Sequence, residues 1–277
     1  MRRLINIRPS RGVAQVLIIL PFLLLLLSYN VASTARLAEN PQDRLLPSFA
    51  AMADAMGGLA FEADSRSGDY LLWVDTGASL LRLAAGVAAG AGVALLLGLL
   101  SGLLPVVRAS LSPLLAAVAM VPPLAMLPIL FIVVGMDETA KIVLIAIGIG
   151  PVIARELEGR IREIPIEELI KAQTLGAGTW LILWRVVLPQ LLPRLVDAIR
   201  LSLGTAWLFL IAAEAIAATE GLGYRIFLVR RYLAMDVILP YVAWITLLAW
   251  LTDFALRRLN ARLFPWLGLE RGEGEQR

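Results

Sequence analysis

A carboxylate stranded in apolar sequence is the first residue to explain. Glu214 interrupts the otherwise uncharged run 201–219. An ionisable side chain at bilayer depth is expensive and points to function by default. Two chemistries suit it: facing a cationic solute, or pairing with an arginine such as Arg225. Proline supplies the other candidate. Pro122 and Pro123, with Pro128 close behind, fall inside an uncharged run and free backbone carbonyls that lipid cannot satisfy. Neighbouring helices or a water cavity must satisfy them, so the stretch either lines a pathway or is a kinked packing helix. Enzymatic chemistry has little to work with. The chain has no Cys and no His, which removes thiol nucleophiles, Ser-His catalysis, disulfides and nearly all zinc sites. No paired acids recur at helical spacing inside the apolar runs, so an intramembrane enzyme is the weakest reading and no catalytic residue is assigned. The only lysines, Lys141 and Lys171, are not part of a glycine-rich phosphate loop. No cofactor or metal is expected in this chain; any ATP and magnesium would sit on another.

The elements that position these residues are read from composition. Of 277 residues, 59% are hydrophobic and 17% charged, and the mean hydropathy is +0.80; all three depart from soluble averages toward a membrane protein. The excess is Leu, Ala, Ile and Val, with 7% aromatics, which suits an all-α polytopic protein better than a barrel. The basic pI of about 9.6 does not point to nucleic acid. The arginines cluster beside apolar runs, the orientation signal of membrane proteins, so lipid is the expected surroundings.

About 20 residues span a bilayer, and on that scale six spans are expected. Region 1–34 is an arginine-bearing arm (Arg2, Arg3, Arg8, Arg11) followed by the uncharged run 12–32; the alternative is a cleaved signal peptide. Region 35–76 is polar and expected outside. Within it, 48–61 is either a short surface helix opened by Ser48 or a solvated loop. Spans two and three are 83–104 and 109–136. Gly86/Gly90 and Gly98/Gly102 are small pairs that let helices approach. The fourth span, 142–154, is short and works if Lys141 and Arg155 stretch toward the two interfaces. Spans five and six are 201–219 and 237–252. Arg82, Asp197 and Arg200 at span ends are expected to be interfacial. Arg225, Arg230 and Arg231 run against the positive-inside expectation, so the outer placement of 220–236 rests on the span count. An even count with Arg257, Arg258 and Arg262 inside places both termini in the cytoplasm. Region 77–266 is the transmembrane domain and 267–277 an expected disordered tail.

Residues 161–189 form the inner loop that this arrangement displays. Pro165 can open a helix, with Glu167 and Glu168 at its positive dipole end. Gly176 supplies a left-handed stop, Thr179 a cap for a second helix, and Leu188-Pro189 its end. Trp180, Leu183, Trp184 and Val187 fall on one face. A charged loop with an apolar face wants a protein partner, although a helix pair that only braces the bundle fits the same pattern.

Gly176, with Val186, Leu188 and Pro189 following, resembles the cytoplasmic loop signature of ABC importer permeases. The resemblance extends to 121–130, to 139–149, to Leu203-Gly204 through Ala212-Ala213-Glu214, and to 221–224. It is specific for the nitrate/sulfonate/taurine type and covers roughly 79–266. More loosely, the chain resembles permeases of urea- or guanidine-carboxylase systems. The resemblance implies a type I permease fold with about six helices in the bacterial inner membrane. It implies a cytoplasmic ABC ATPase, a periplasmic solute-binding protein and a second permease chain as partners, the last expected to be an identical copy. The solute would be a small nitrogen or sulfur compound such as nitrate, a sulfonate, taurine, urea or guanidine. The coupling residues carried over are Glu168, Ala172, Gly176, Thr179, Trp180 and Pro189. The family's Glu-Ala-Ala is Ile170-Lys171-Ala172 here, so the usual glutamate is missing. In that subfamily Ala-Ala-Glu accompanies anion transport, which favours a structural ion pair at Glu214. A stand-alone secondary transporter or channel is the competing class, but it has no need of tryptophans on a cytoplasmic helix.

Overall fold

The computed structural model describes residues 10–266 apart from 42 and 66, and not the Arg11 side chain. The N-terminal Arg2, Arg3 and Arg8 and the tail 267–277 lie outside the described residues. All regular elements among the described residues are helical, and they fall into two compact units.

The first unit takes in residues 10–70 and Val229–Tyr241. Its long helix α1 (Arg11–Glu39) is followed by α2 (Phe49–Phe61). Ser48 caps α2 by accepting a hydrogen bond from the Ala51 N–H at 3.2 Å, so 48–61 is the short helix rather than the solvated loop. Tyr29 and Ser33 on α1 fasten the link between them. The Tyr29 hydroxyl donates to the Pro47 carbonyl at 2.8 Å, and Ser33 donates to Leu46 at 2.9 Å.

The second unit takes in Leu71–Leu228 and the chain from Val242 onward. Its helices are α3 (Leu71–Leu103), α4 (Pro105–Met120), α5 (Leu127–Val134), α6 (Glu138–Arg162), α7 (Ile166–Thr174), α8 (Thr179–Ile182), α9 (Leu188–Ala217) and α10 (Leu222–Val229). Most of α11 (Met235–Leu263) completes it. Leu104 breaks α3 from α4. There Arg108 donates from Nε to the Ser101 carbonyl at 2.9 Å and from Nη2 to that of Gly102, satisfying carbonyls that a helix end leaves open.

The core is the pair α3–α6. Cβ atoms built on Gly86, Gly90, Gly98 and Gly102 would meet Ile145, Ile149, Leu157 and Ile161 at 2.5–3.0 Å. The offset is constant, so the two helices run parallel with an i, i+4 row of glycines against an i, i+4 row of aliphatic side chains. Only the missing Cβ atoms permit this approach. Gly148 on α6 likewise faces the ring of Phe209 on α9.

Among the described residues, four helical stretches are long and apolar enough to cross a membrane: Gly12–Glu39, Leu71–Leu103, Thr179–Ala217 and Met235–Leu263. The expected third span, 109–136, is not one rod, because α4 and 123–134 are bent by 84° at a short break. The remaining helix, α6, is less apolar than these, because charges occupy both its ends. Its 25 residues give about 37 Å at 1.5 Å per residue, and α3 and α9 bury it. Lys141 is buried and hydrogen-bonded to Glu138 at 2.6 Å, while Arg155 is exposed.

Candidate functional site

The loop joining α6 to α9 is built by short-range rules. Its first helix, α7, starts at Ile166, with Pro165 one position earlier than expected, outside the helix. The chain then turns at Gly176, whose φ is +82°. The Gly176 and Ala177 N–H groups donate back to Gln173 and Ala172 at 2.9 and 3.0 Å, closing the helix end. Gly178, not Thr179, caps α8: its carbonyl accepts from Ile182 at 3.0 Å, and no side chain caps that helix. Leu188-Pro189 does not end the helix either. A π-turn over Leu183–Val187 joins α8 to α9, and the Leu188 N–H reaches back five residues to Leu183. Proline has no N–H and its ring crowds the carbonyl four residues earlier. Widening the turn just before Pro189 absorbs both problems and lets the helix run on to Ala217.

The wide turn also redistributes the expected face. Trp180 is 70% exposed and Trp184 sits beside it in an edge-to-face contact at 5.9 Å, whereas Val187 is fully buried. Ile166, Ile170, Leu175 and Leu181 are exposed as well, so one loop presents six large apolar side chains. Ala172 is half-buried on α7. Glu168 is exposed and accepts from Gln190 Nε2 at 3.1 Å, tying α7 to the start of α9.

Pro122 and Pro123 lie at the bend. Pro123 opens a single 3₁₀ turn, Pro123–Met126, between α4 and α5. Val121 and Pro122 stand exposed on this chain.

Glu214 is not free to face a solute. It is fully buried, and both carboxylate oxygens are occupied. Ser79 Oγ lies 2.7 and 2.9 Å from them, Arg82 Nη1 donates to Oε1 at 2.9 Å, and the Gly223 N–H donates to Oε2 at 2.8 Å. Its ionic partner is therefore Arg82 rather than Arg225, which pairs with Asp75 at 2.7 Å. Arg82 does not stand at the end of its helix in solvent: it is 4% exposed, eleven positions into α3. Its Nε and Nη2 grip Glu138 bidentately, and Nη1 also donates to the Glu220 carbonyl at 2.8 Å. Asp75 accepts from the Gly221 N–H at 2.9 Å and Ser79 from the Leu222 N–H at 2.9 Å. Three successive amides opening α10 are thus each received by a side chain of α3 or α9, where the helix dipole also favours the carboxylates. Gly221-Leu222-Gly223 has a geometric reason. A Cβ at Gly221 would strike Glu214 and Arg82, and one at Gly223 would strike the Ile211 carbonyl at 2.6 Å. Buried charges survive only when paired and fully hydrogen-bonded, and this cluster meets that condition.

Spacing could have revealed the cluster. Asp75, Ser79 and Arg82 are four and three residues apart, one face of one helix. A span boundary drawn at the nearest charge hides it.

A family model described as binding-protein-dependent transport system inner membrane component matches residues 94–268. The chain belongs to this family. Over 200 residues it is 38% identical to the taurine transport system permease protein TauC of Escherichia coli (strain K12), covering 72% of this chain and 73% of that one. The putative aliphatic sulfonates transport permease protein SsuC of Bacillus subtilis (strain 168) is 34% identical over 189 residues, 68% of each chain. The bicarbonate transport system permease protein CmpB of Synechococcus elongatus is 33% identical over 199 residues, 68% of this chain and 71% of that one. A chain from the inward-facing MetNI methionine ABC transporter superposes with a TM-score of 0.59 at 22% identity, over 72% of this chain and 99% of that chain. The fold is that of a type I ABC importer permease, and the protein is a multi-pass permease subunit of the nitrate/sulfonate/taurine type. Family membership decides between the two transporter classes in favour of an importer subunit over a stand-alone carrier or channel.

Proposed function

We propose that two copies of this chain form the translocation path of an importer for a small polar solute of the sulfonate or taurine kind, with urea or guanidine as the second class to test. In this reading both termini and the α7–α8 loop face the cytoplasm, a periplasmic binding protein delivers the solute, and a separate ATPase binds ATP and magnesium. The exposed Trp180–Trp184 pair carries the reading. Two large aromatic side chains on a loop otherwise rich in charge form an anchor suited to a cleft on a partner protein. Glu168, Ala172, Gly176, Thr179 and Pro189 shape that loop around them. The break at Pro122–Pro123 is the part of the path this chain would contribute; Glu214, held in its ion pair with Arg82, serves the fold.

The test is Gly176→Asp in the assembled transporter. Asp tolerates the left-handed conformation better than most residues and places a charge on the docking surface. Membrane insertion should persist while binding-protein-stimulated ATP hydrolysis is lost. Unchanged stimulated hydrolysis would remove the coupling role. The solute is found by thermal shift of the partner binding protein against taurine, alkyl sulfonates, nitrate, urea and guanidinium.

A further inference from the structure

The helices α6 and α9 are joined at both ends. At one end they share the α7–α8 loop. At the other, the start of α6 contributes Glu138 and Lys141, and the end of α9 contributes Glu214. Between these two ends lie about 24 residues of α6 beyond Glu138, roughly 36 Å at the α-helical rise. At the far end a single guanidinium bridges the two helices. Arg82 of α3 holds Glu138 through Nε and Nη2, and Glu214 and the Glu220 carbonyl through Nη1. Lys141 also donates to Glu138, at Oε1 and 2.6 Å. The planar fork matters, because a lysine ammonium cannot make a bidentate grip on one carboxylate while reaching a second. Most of the cluster is sealed from solvent, but Glu138 remains 56% exposed on its side chain. One arm of the bridge is therefore accessible to change without opening the core.

We propose that Arg82 is a positioning residue for transport: it clamps the loop-distal ends of α6 and α9 to α3 and to the 220–223 turn, so that displacement of the α7–α8 loop arrives there as motion of one body. Without the clamp, the loop-distal ends of α6 and α9 would be free to part beyond their packed middles, and loop motion would dissipate there. The inference rests on the proposed coupling role of the loop. A buried ion pair serving only stability would not need one guanidinium to span three helices and a turn.

The absence of cysteine makes a direct test practical. Thr139→Cys and Thr219→Cys place spin labels at two exposed positions beside the clamp, at the start of α6 and just past α9. The distance between labels within one chain is measured in the complete transporter, with the second copy unlabelled, nucleotide-free and trapped with Mg-ATP and vanadate. With the clamp intact, one narrow distance should persist in both states. In Glu138→Gln and Arg82→Lys the trapped state should broaden or shift by more than about 2 Å, the scale of helix displacements in such transitions. Taurine uptake per ATP, if taurine is carried, should fall on the order of tenfold in both variants, with the melting temperature retained in Glu138→Gln, whose side chain is 56% exposed. A distance that already changes in the parent on trapping, or stays narrow in both variants, overturns the proposal. So does an activity loss that merely follows a loss of thermal stability. Should Arg82→Lys fail to fold, Glu138→Gln carries the test, since its side chain is half-exposed. If the parent complex recruits no ATPase, the loop's coupling role itself fails, and that result is distinct from a clamp that does not hold.

Discussion

Replacing Gly221 with alanine adds one methyl group where the chain has two separate reasons to refuse it. The residue has φ of +123°, and forcing an L side chain into such a region costs about 1–3 kcal/mol. The added Cβ would also lie 2.6 Å from Glu214 Cδ and Oε1 and 2.7 Å from Arg82 Nη1. These atoms are the two halves of a buried ion pair, so relief requires separating them, and breaking such a pair costs about 3–5 kcal/mol. Together the penalty is on the order of 4–8 kcal/mol, comparable with the whole stability of a typical domain at about 5–15 kcal/mol. Gly176 is the matched control. Its φ is +82°, but no atom lies within 4 Å of its would-be Cβ, leaving only backbone strain of roughly 1–2 kcal/mol. Thermal melting in detergent, read by size-exclusion chromatography after heating, should show Gly221→Ala largely unfolded or aggregated. Gly176→Ala should be only modestly shifted. If Gly221→Ala melts within about 4 °C of the parent, a shift that corresponds to ~1 kcal/mol at this chain length, the reasoning from crowding at the cluster is wrong.

Gly102→Leu should destabilise the α3–α6 pair by at least 1–3 kcal/mol, the usual range of overpacking, because a Cβ there already meets Ile161 Cδ1 at 2.5 Å. Gly92→Ala on the same helix has open space and should be neutral or stabilising by up to about 1 kcal/mol; melting curves of the two decide. Trp180→Ala should leave the melting temperature unchanged, since the side chain is largely exposed, but weaken ATPase retention on co-purification; full retention would remove Trp180 from the interface. Ile170→Glu restores the family's glutamate on an exposed position and should tighten ATPase association in a titration. Weaker association would show that α7 grips its partner by a different face.

The residues that announce themselves locally were legible in the sequence. Gly176 stops a helix because only a residue without Cβ adopts its φ at no cost, and Ser48 caps α2 through its own side chain. The Gly86–Gly102 row could be seen, but not which helix it faced; the matching row 145–161 on α6 settles that. Glu214 could be assigned to an ion pair, but its partner could not: Arg225 is the nearer arginine along the chain, and only the fold brings Arg82, 132 residues away, to it. The contacts of Arg82 and Asp75 are hidden for a related reason. Charge in sequence reads as exposure, whereas here acids and bases from three helices and a turn compensate one another, and that pairing is invisible along one chain. Pro189 misled through a local rule with an unseen escape: one wide turn accommodates it.

That wide turn at Leu183–Val187 has a consequence for how the loop can vary. A π-turn holds one residue more than the α-helix it interrupts, so removing a single residue from it would leave a continuous α-helix. Because the wide turn takes up the extra residue, everything before it would keep nearly its present orientation to α9. Closing the turn into an α-helix at unchanged length would instead rotate that part by about 100°, and Trp180 would swing to another side of the loop with no change in its identity or its neighbours in sequence. The aim of the docking surface thus depends on the turn staying wide, and the loop tolerates losing one residue there better than it tolerates straightening.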